Sequence, residues 1–365
     1  MSAQLIGQAE QESNVIEIES FFGDKKMRWY QLSAVNEAIQ AVIERITRIL
    51  IVLPTGCGKT ITIASTLNNP LLRNHFGLEE GEKLRVLFVA HTGRLLTQAE
   101  RTFAEDSGVE LILQSTQSAI PADLIEAGWH LTVLDEAHHE AMASVQYQLE
   151  HIGEHPLIGL TATPERADGC VIKFEKIINP ISRQQAVEEG YLATTKLFSF
   201  VDGAEKNKTE IGKAILTAYV DIMAGTMVFV RTKNEINIIV EHITNLGYVA
   251  VGILDQNASE LNDVLDAFSV GEIQFLVTCN RLGEGVDVKG CTTVLLLRTI
   301  GSYPLLNQII GRAARPDTPC QVFEIINPLS AYNLDTTCVV GVPDTHTLIY
   351  QHRNEWVEEQ FDYAA

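Results

Sequence analysis

Long apolar runs are missing from this 365-residue chain. Although 46% of it is hydrophobic, no stretch approaches the roughly 18 residues a membrane-spanning helix requires, so a soluble globular protein is expected. Met1 to Glu10 has neither a basic region nor an apolar core, which argues against secretion. Cysteines are few and scattered: Cys57, Cys170, Cys279, Cys291, Cys320 and Cys338. With no C-x-x-C pair, they read as reduced cytosolic thiols rather than a disulfide frame or a zinc site. Positive charge is also scarce, 27 Lys and Arg against 47 Asp and Glu, for a net charge of −20. That excludes a broad phosphate-gripping surface. Any hold on nucleic acid must come from a local basic groove or from backbone N–H groups, with modest, salt-sensitive affinity or a partner protein supplying more. Alternatively, the acidic balance only serves solubility.

What the chain does have is concentrated first in Ile49-Leu-Ile-Val-Leu-Pro-Thr-Gly-Cys-Gly-Lys-Thr60. Its five leading apolar residues predict a strand buried on both faces, as in a parallel sheet covered by helices. Pro54, Thr55, Gly56, Cys57 and Gly58 then turn the chain into a helix opened by Lys59 and Thr60. Such a loop cradles phosphate, because glycines let backbone N–H groups close around oxygens and the helix N-terminus adds its dipole. Lys59 would reach the β- and γ-phosphates, and the Thr60 hydroxyl would ligate Mg²⁺. The strict phosphate-loop pattern wants glycine where Leu53 stands.

Strand-like and helix-like stretches alternate on either side of this loop. Leu84–Ala90, Glu110–Leu113, Leu131–Leu134 and Leu157–Leu160 read as strands of a first domain, and Leu131–Leu134 delivers Asp135 and Glu136 at its end. After a polar break the pattern resumes with strands at Lys196–Phe200, Met227–Arg231, Tyr248–Ile253, Ile273–Thr278, Thr293–Arg298 and Val322–Ile326. The expected layout is a lead-in over 1–20, domains over 21–195 and 196–330, and a mixed tail over 331–365. Each domain is expected to be an α/β doubly wound parallel sheet with helices on both faces and ligands beyond the strand C-termini. His138-His139 suggests a metal ligand pair, but no third ligand stands at metal-site spacing.

Several further motifs follow in order. They are Arg28-Trp-Tyr-Gln31, Ala90 to Gln98, Thr116-Gln-Ser118, Asp135-Glu-Ala-His138 and Thr161-Ala-Thr163, then Val228 to Thr232, Gly283-Glu-Gly-Val-Asp287 and Gln308-Ile-Ile-Gly-Arg-Ala-Ala-Arg315. Together with the phosphate loop, this set resembles the superfamily 2 helicases and translocases, the group containing the DEAD/DEAH-box helicase core, over roughly residues 27–327. The resemblance implies two RecA-like domains with ATP and Mg²⁺ between them. Lys59, Asp135, Glu136, Gln308, Arg312 and Arg315 would then form the hydrolytic machinery, with Thr60 and Asp135 holding the metal. Gln31, beside Arg28, would read adenine. Gly285 and Asp287 would border the nucleotide, Asp287 at the ribose. Thr161 and Thr163 would relay domain closure. Thr92, Gly93, Thr116 and Gln117 on the first domain, with Arg231, Thr232 and Thr278 on the second, would contact a nucleic-acid backbone without reading sequence.

The phrasing around the second acidic motif is most similar to the DNA-directed branch of XPB-like and UvsW-like helicases and restriction-enzyme motors. The resemblance therefore favours a 3′-to-5′ DNA helicase or translocase. An RNA-directed helicase, and an ATP-gated motor or clamp subunit of a larger restriction or repair complex, remain alternatives. No nuclease constellation, zinc module or appended winged helix is visible. The compact form and acidic balance suit a phage-encoded or mobile-element protein in the cytoplasm of a bacterial or phage-infected cell.

Overall fold

The computed structural model describes residues 26–90, 108–139, 142–152, 155–164, 173–201, 208–223, 225–279, 282, 286, 288–314, 318–327, 336–352 and 355–361. Two sheets organise them. The first has six strands in the order β3-β2-β4-β5-β1-β6, where β1 is Arg48–Val52, β2 Leu84–Ala90, β3 Val109–Ser115, β4 Leu131–Leu134, β5 Leu157–Thr161 and β6 Lys176–Ile178. Every pairing in this sheet is parallel. The second has eight strands in the order β14-β13-β7-β12-β11-β8-β10-β9. Its members are β7 Thr195–Val201, β8 Thr226–Phe229, β9 Ala250–Ile253, β10 Phe275–Thr278, β11 Thr293–Leu296, β12 Cys320–Ile326, β13 Thr345–His352 and β14 Glu355–Phe361. The protein is thus α/β, with two RecA-like lobes.

The strands read as near-continuous apolar runs because helices cover both faces of each sheet. Ile49, Leu50, Ile51, Leu131, Val133 and Ile158 are fully buried. The helix α1, Trp29–Ile43, places Tyr30, Ala34, Ala38, Ala41 and Val42 at helical spacing against the core that contains Ile49 and Ile51. The helix α2, Lys59–Leu67, buries Ile63, Ala64 and Leu67 in the same core. The opposite face of the sheet packs Leu50, Val52, Leu87 and Val89 against Trp129 and Val145.

The C-terminal region departs from the expected tail. β13 extends the second sheet by pairing parallel with β7, and β14 turns back antiparallel along its outer edge. Ile349 is fully buried, and Trp356 meets Phe200 edge-on with ring centroids 5.7 Å apart. A buried polar stitch reinforces this edge. Ser199 donates to the Glu324 carboxylate at 2.7 Å and accepts from His346 Nε2 at 2.9 Å, while Thr336 donates to the other Glu324 oxygen. The sequence hides these strands because the acidic outer residues Glu358 and Glu359 are exposed on an edge, where charge also discourages pairing with another chain. β6 is likewise unanticipated, a three-residue edge strand too short to show a period.

Ile349→Ala is expected to cost about 2–5 kcal/mol, as for other fully buried aliphatic residues. Urea unfolding followed by the second lobe's signal would show it. A loss below roughly 0.5 kcal/mol would mean that β13 is not part of this core.

Candidate active site

The site arises where three neighbouring parallel strands end together. β5 lies between β1 and β4, with Val52 opposite Thr161 and Leu134 opposite Gly159. The loop after β1, the acidic pair after β4 and the Thr161–Thr163 turn after β5 therefore converge at the C-terminal edge of the sheet, where α/β folds place ligands. Leu53 N–H donates to Thr161 O at 3.0 Å and Asp135 N–H to Val89 O at 2.9 Å, so both loops are pinned to the sheet as they leave it.

The phosphate loop owes its shape to two glycines. Gly56 has φ +91° and Gly58 φ +85°, in the region that residues with a Cβ rarely enter. A Cβ on Gly58 would also stand 2.4 Å from Gln31 Nε2. Gly58 caps α2, so Lys59 and Thr60 occupy its first turn, where backbone N–H groups lack helix partners. Gln31 reaches the loop from α1. Its Nε2 donates to Cys57 O at 3.0 Å while its Oε1 accepts Arg28 N–H at 2.9 Å. Tyr30 donates to the same Cys57 carbonyl at 3.2 Å, and burial raises its phenol to about 12, which keeps it a neutral donor.

Asp135 and Glu136 form a tight unit. Asp135 Oδ1 accepts the Glu136 N–H at 2.9 Å, and Glu136 holds a left-handed φ of +52°. Such strain in a non-glycine residue persists only where surrounding contacts impose it. Burial first, and then the adjacent Glu136 carboxylate, push Asp135 up to about 7, partly offset by the Lys59 ammonium. A divalent cation would relieve this penalty. Mg²⁺ is held by one or two carboxylates together with substrate phosphates and water, so Asp135 with Thr60 suits it. Among the described residues there is no group of three or more His, Cys, Asp and Glu fit to hold a metal by itself. His138 instead sits between two site elements: its Nδ1 lies 3.3 Å from Glu136 Oε2 and 3.3 Å from Thr161 Oγ1. Thr161 donates to Thr163 O at 2.8 Å and accepts Thr163 N–H at 3.1 Å. The carboxylate turn and the Thr161–Thr163 turn are thereby joined through a buried histidine.

The second lobe closes over the loop with the helix Tyr303–Ala313. A Cβ on Gly311 would stand 2.4 Å from Thr55 Cβ, and one on Gly56 would meet Leu192 at 2.9 Å and the Ala314 carbonyl oxygen at 3.8 Å. Along this helix Gln308 is buried with both amide ends lacking a hydrogen-bond partner among the described residues, and Arg312 Nη1 donates to Val286 O. Arg315, Gly285 and Asp287 lie outside the described residues, as do Thr92 and Gly93.

The other residues assigned to nucleic acid are placed unevenly. Thr116 is buried, with its N–H donating to Ala90 O at 3.1 Å, and Gln117 is exposed. Arg231 holds Glu235 through Nη2 at 2.8 Å and Nε at 3.2 Å, and Thr232 caps the following helix. Thr278 is fully buried with its hydroxyl unpartnered. Of these, Thr116, Arg231 and Thr232 are hydrogen-bonded within their own lobes. Sequence reasoning passed over Arg183, whose guanidinium nitrogens are all buried without a hydrogen-bond partner among the described residues. Burial lowers its pKa, with Cys57 of the first lobe and Cys320 and Tyr303 of the second close enough to act on it. No pattern in the sequence marks it, since a single arginine in a short helix carries no motif.

Because the folded Asp135 value of about 7 lies above the ordinary 3.8, its ionisation opposes folding. The penalty is absent below the ordinary value, grows as pH rises toward the folded value, and is constant above it. Asp135→Asn is therefore expected to raise the Tm of metal-free protein more at pH 8 than at pH 5, and added Mg²⁺ to raise the wild-type Tm more than the variant's. Equal effects of the substitution at the two pH values would refute the shift.

Comparison with known proteins agrees with this geometry. Residues 24–166 match the family described as type III restriction enzyme, res subunit, and residues 213–317 match the helicase conserved C-terminal domain. IRC3 of Saccharomyces cerevisiae, named as an ATP-dependent helicase, is 25% identical over 87% of this chain and 54% of its own. The Escherichia coli type I restriction enzyme EcoAI endonuclease subunit is 24% identical over 80% of this chain and 44% of its own. The DNA 3′-5′ translocase XPB2 of Sulfurisphaera tokodaii is 24% identical, with 87% and 86% covered. The chain thus spans about half the length of the first two. Among solved structures, a fragment described as an HsdR subunit of a type I restriction enzyme from Vibrio vulnificus has a TM-score of 0.71 at 24% identity, covering 90% of this chain and 70% of that one. The type ISP restriction-modification enzyme LlaBIII bound to DNA has 0.65 at 15%, covering 87% and 30%. Two lobes, a phosphate loop faced by the second lobe, and both domain matches make the chain a member of the superfamily 2 helicases, with restriction-enzyme and XPB-like proteins among its relatives.

Proposed function

We propose that the protein is an ATP-driven motor on DNA, coupling hydrolysis to movement along a strand or to unwinding and remodelling of forks and branches. One observation carries the reading. The second lobe lays Gly311 directly on Thr55 of the phosphate loop, in the helix that carries Gln308 and Arg312. A site assembled from both lobes is complete only when they close, so hydrolysis and relative motion are linked. In it, Lys59 and the loop N–H groups would hold the phosphates. Thr60 and Asp135 would hold Mg²⁺, which neutralises charge developing on the phosphoryl group. Glu136, oriented by His138, would position and deprotonate the attacking water. Arg312 and Arg315 would enter from the second lobe, where an arginine supplied across a cleft can be worth about 10³–10⁵ in rate.

DNA is favoured over RNA by the names of the relatives, a DNA 3′-5′ translocase and a restriction enzyme bound to DNA. The name of XPB2 supports the 3′-to-5′ direction, and the names of the EcoAI and Vibrio vulnificus subunits support service within a larger assembly. The acidic balance of −20 favours a backbone grip that weakens steeply with salt or is completed by a partner.

Steady-state ATP hydrolysis at low salt, alone and with single-stranded DNA, forked DNA and RNA, tests this reading. Strong stimulation by DNA and little by RNA is expected. The reverse order would make it an RNA-directed motor, and stimulation only by a partner protein would make it an ATP-gated clamp. Lys59→Ala should abolish nucleotide binding. Glu136→Gln should keep binding while slowing turnover about 10²–10⁴-fold, and normal turnover in that variant would remove Glu136 from its role.

A further inference from the structure

The segment joining the two lobes is bolted to the phosphate loop and to the start of α1, in a way that motif reading does not anticipate. Tyr191 lies between the helix Arg183–Glu188 and β7, and the Arg28 guanidinium stands over its ring with Cζ 4.9 Å from the centroid. The same guanidinium is held at its edge, Nη1 donating to Tyr30 Oη at 2.9 Å. Tyr30 in turn meets Tyr191 edge-on, with centroids 5.2 Å apart, and donates to Cys57 O. Two further ties fix the segment. Trp29 Nε1 donates to Glu189 Oε2 at 2.7 Å, and Leu192 packs beside Gly56. The Arg28 guanidinium is therefore held between the Tyr191 ring and the Tyr30 phenol. It adjoins Gln31, whose amide ends on the phosphate loop.

A guanidinium held by two such contacts is restrained before a ring lies against it. An arginine left in water would have to be ordered by the ligand, at a cost in affinity. We propose that Tyr191 is a positioning residue of the nucleotide site, setting the plane of the Arg28 guanidinium for the nucleobase. This inference rests on the ATP reading above and extends it, since it makes the interlobe segment part of base recognition. Its contribution belongs to the base end of the nucleotide and leaves the phosphate end untouched.

Tyr191→Met keeps the side chain large and apolar but removes the ring, and Tyr191→Phe keeps the ring. Tyr191→Met is expected to raise KM for ATP about 3- to 30-fold, the range that a cation–π pair supports, with kcat at saturation within about twofold. It should also narrow the preference for ATP over GTP. Tyr191→Phe should restore both. Inorganic tripolyphosphate, which has no base, should compete with unchanged Ki. In an Arg28→Gln background the effect of Tyr191→Met should vanish, as required when two residues act through one interaction. An unchanged KM, an equal loss of tripolyphosphate affinity, or an effect that persists without Arg28 would each overturn the proposal. If wild-type protein and Lys59→Ala alike fail to bind ATP, the nucleotide reading falls and takes this inference with it. Wild-type binding with an unresponsive Tyr191→Met rejects this inference alone.

Discussion

Parallel pairing of β1 with β5 sets Val52 beside Thr161, and the location of the chemistry follows from that register. A slip of one residue would turn every side chain of β1 to the opposite face. Ile49 and Ile51 would exchange one core for the other, and the phosphate loop would leave the sheet at a different height from the Asp135 turn. The register is secured by burial on both faces, with β1 carrying four consecutive buried residues and β5 five. Three chemically unlike segments then meet at one edge: a loop of positive-φ glycines, a carboxylate pair, and two threonines hydrogen-bonded to each other.

Closure of the second lobe adds a different kind of constraint. Gly311 has no side chain because Thr55 occupies the space, so the seam is as tight as backbone on side chain allows. Thr55 Oγ1, both ends of the Gln308 amide and the Arg183 guanidinium are buried around it without hydrogen-bond partners among the described residues. Each such group typically costs about 1–3 kcal/mol to leave unpaired. The closed seam is therefore held against an electrostatic penalty, and a ligand rich in acceptor oxygens would stabilise it. A two-lobed motor uses this balance, because closure must respond to what is bound.

The loop after β1 and the carboxylate turn after β4 were legible because their patterns are local. Gly56, Gly58, Lys59 and Thr60 are adjacent in sequence, and the apolar runs before Pro54 and Asp135 announce buried parallel strands. The contact of Gly311 with Thr55 across the lobes and the pairing of Arg28 with Tyr191 were not legible, since each joins residues far apart in sequence. His138 was visible as a motif residue. Its bridge between Glu136 and Thr161 depends on β4 and β5 being neighbours, which spacing alone does not state. The strands β13 and β14 escaped because the exposed acidic residues of the edge strand β14 mask the alternation that a strand leaves in sequence.

The amino-acid sequence by itself determined the kind of protein this is: two α/β lobes, a phosphate loop, a carboxylate pair and an arginine-bearing helix, in a fixed order. These are properties of short segments, decided by glycine conformations, apolar runs and helix starts. Only the tertiary structure decided which segments touch. It laid the helix Tyr303–Ala313 on the phosphate loop, buried Thr278 and Thr116, and set Arg28 over the Tyr191 ring. Those outcomes depend on strand order and on packing between distant parts of the chain, where each contact is favourable only after the whole sheet has formed.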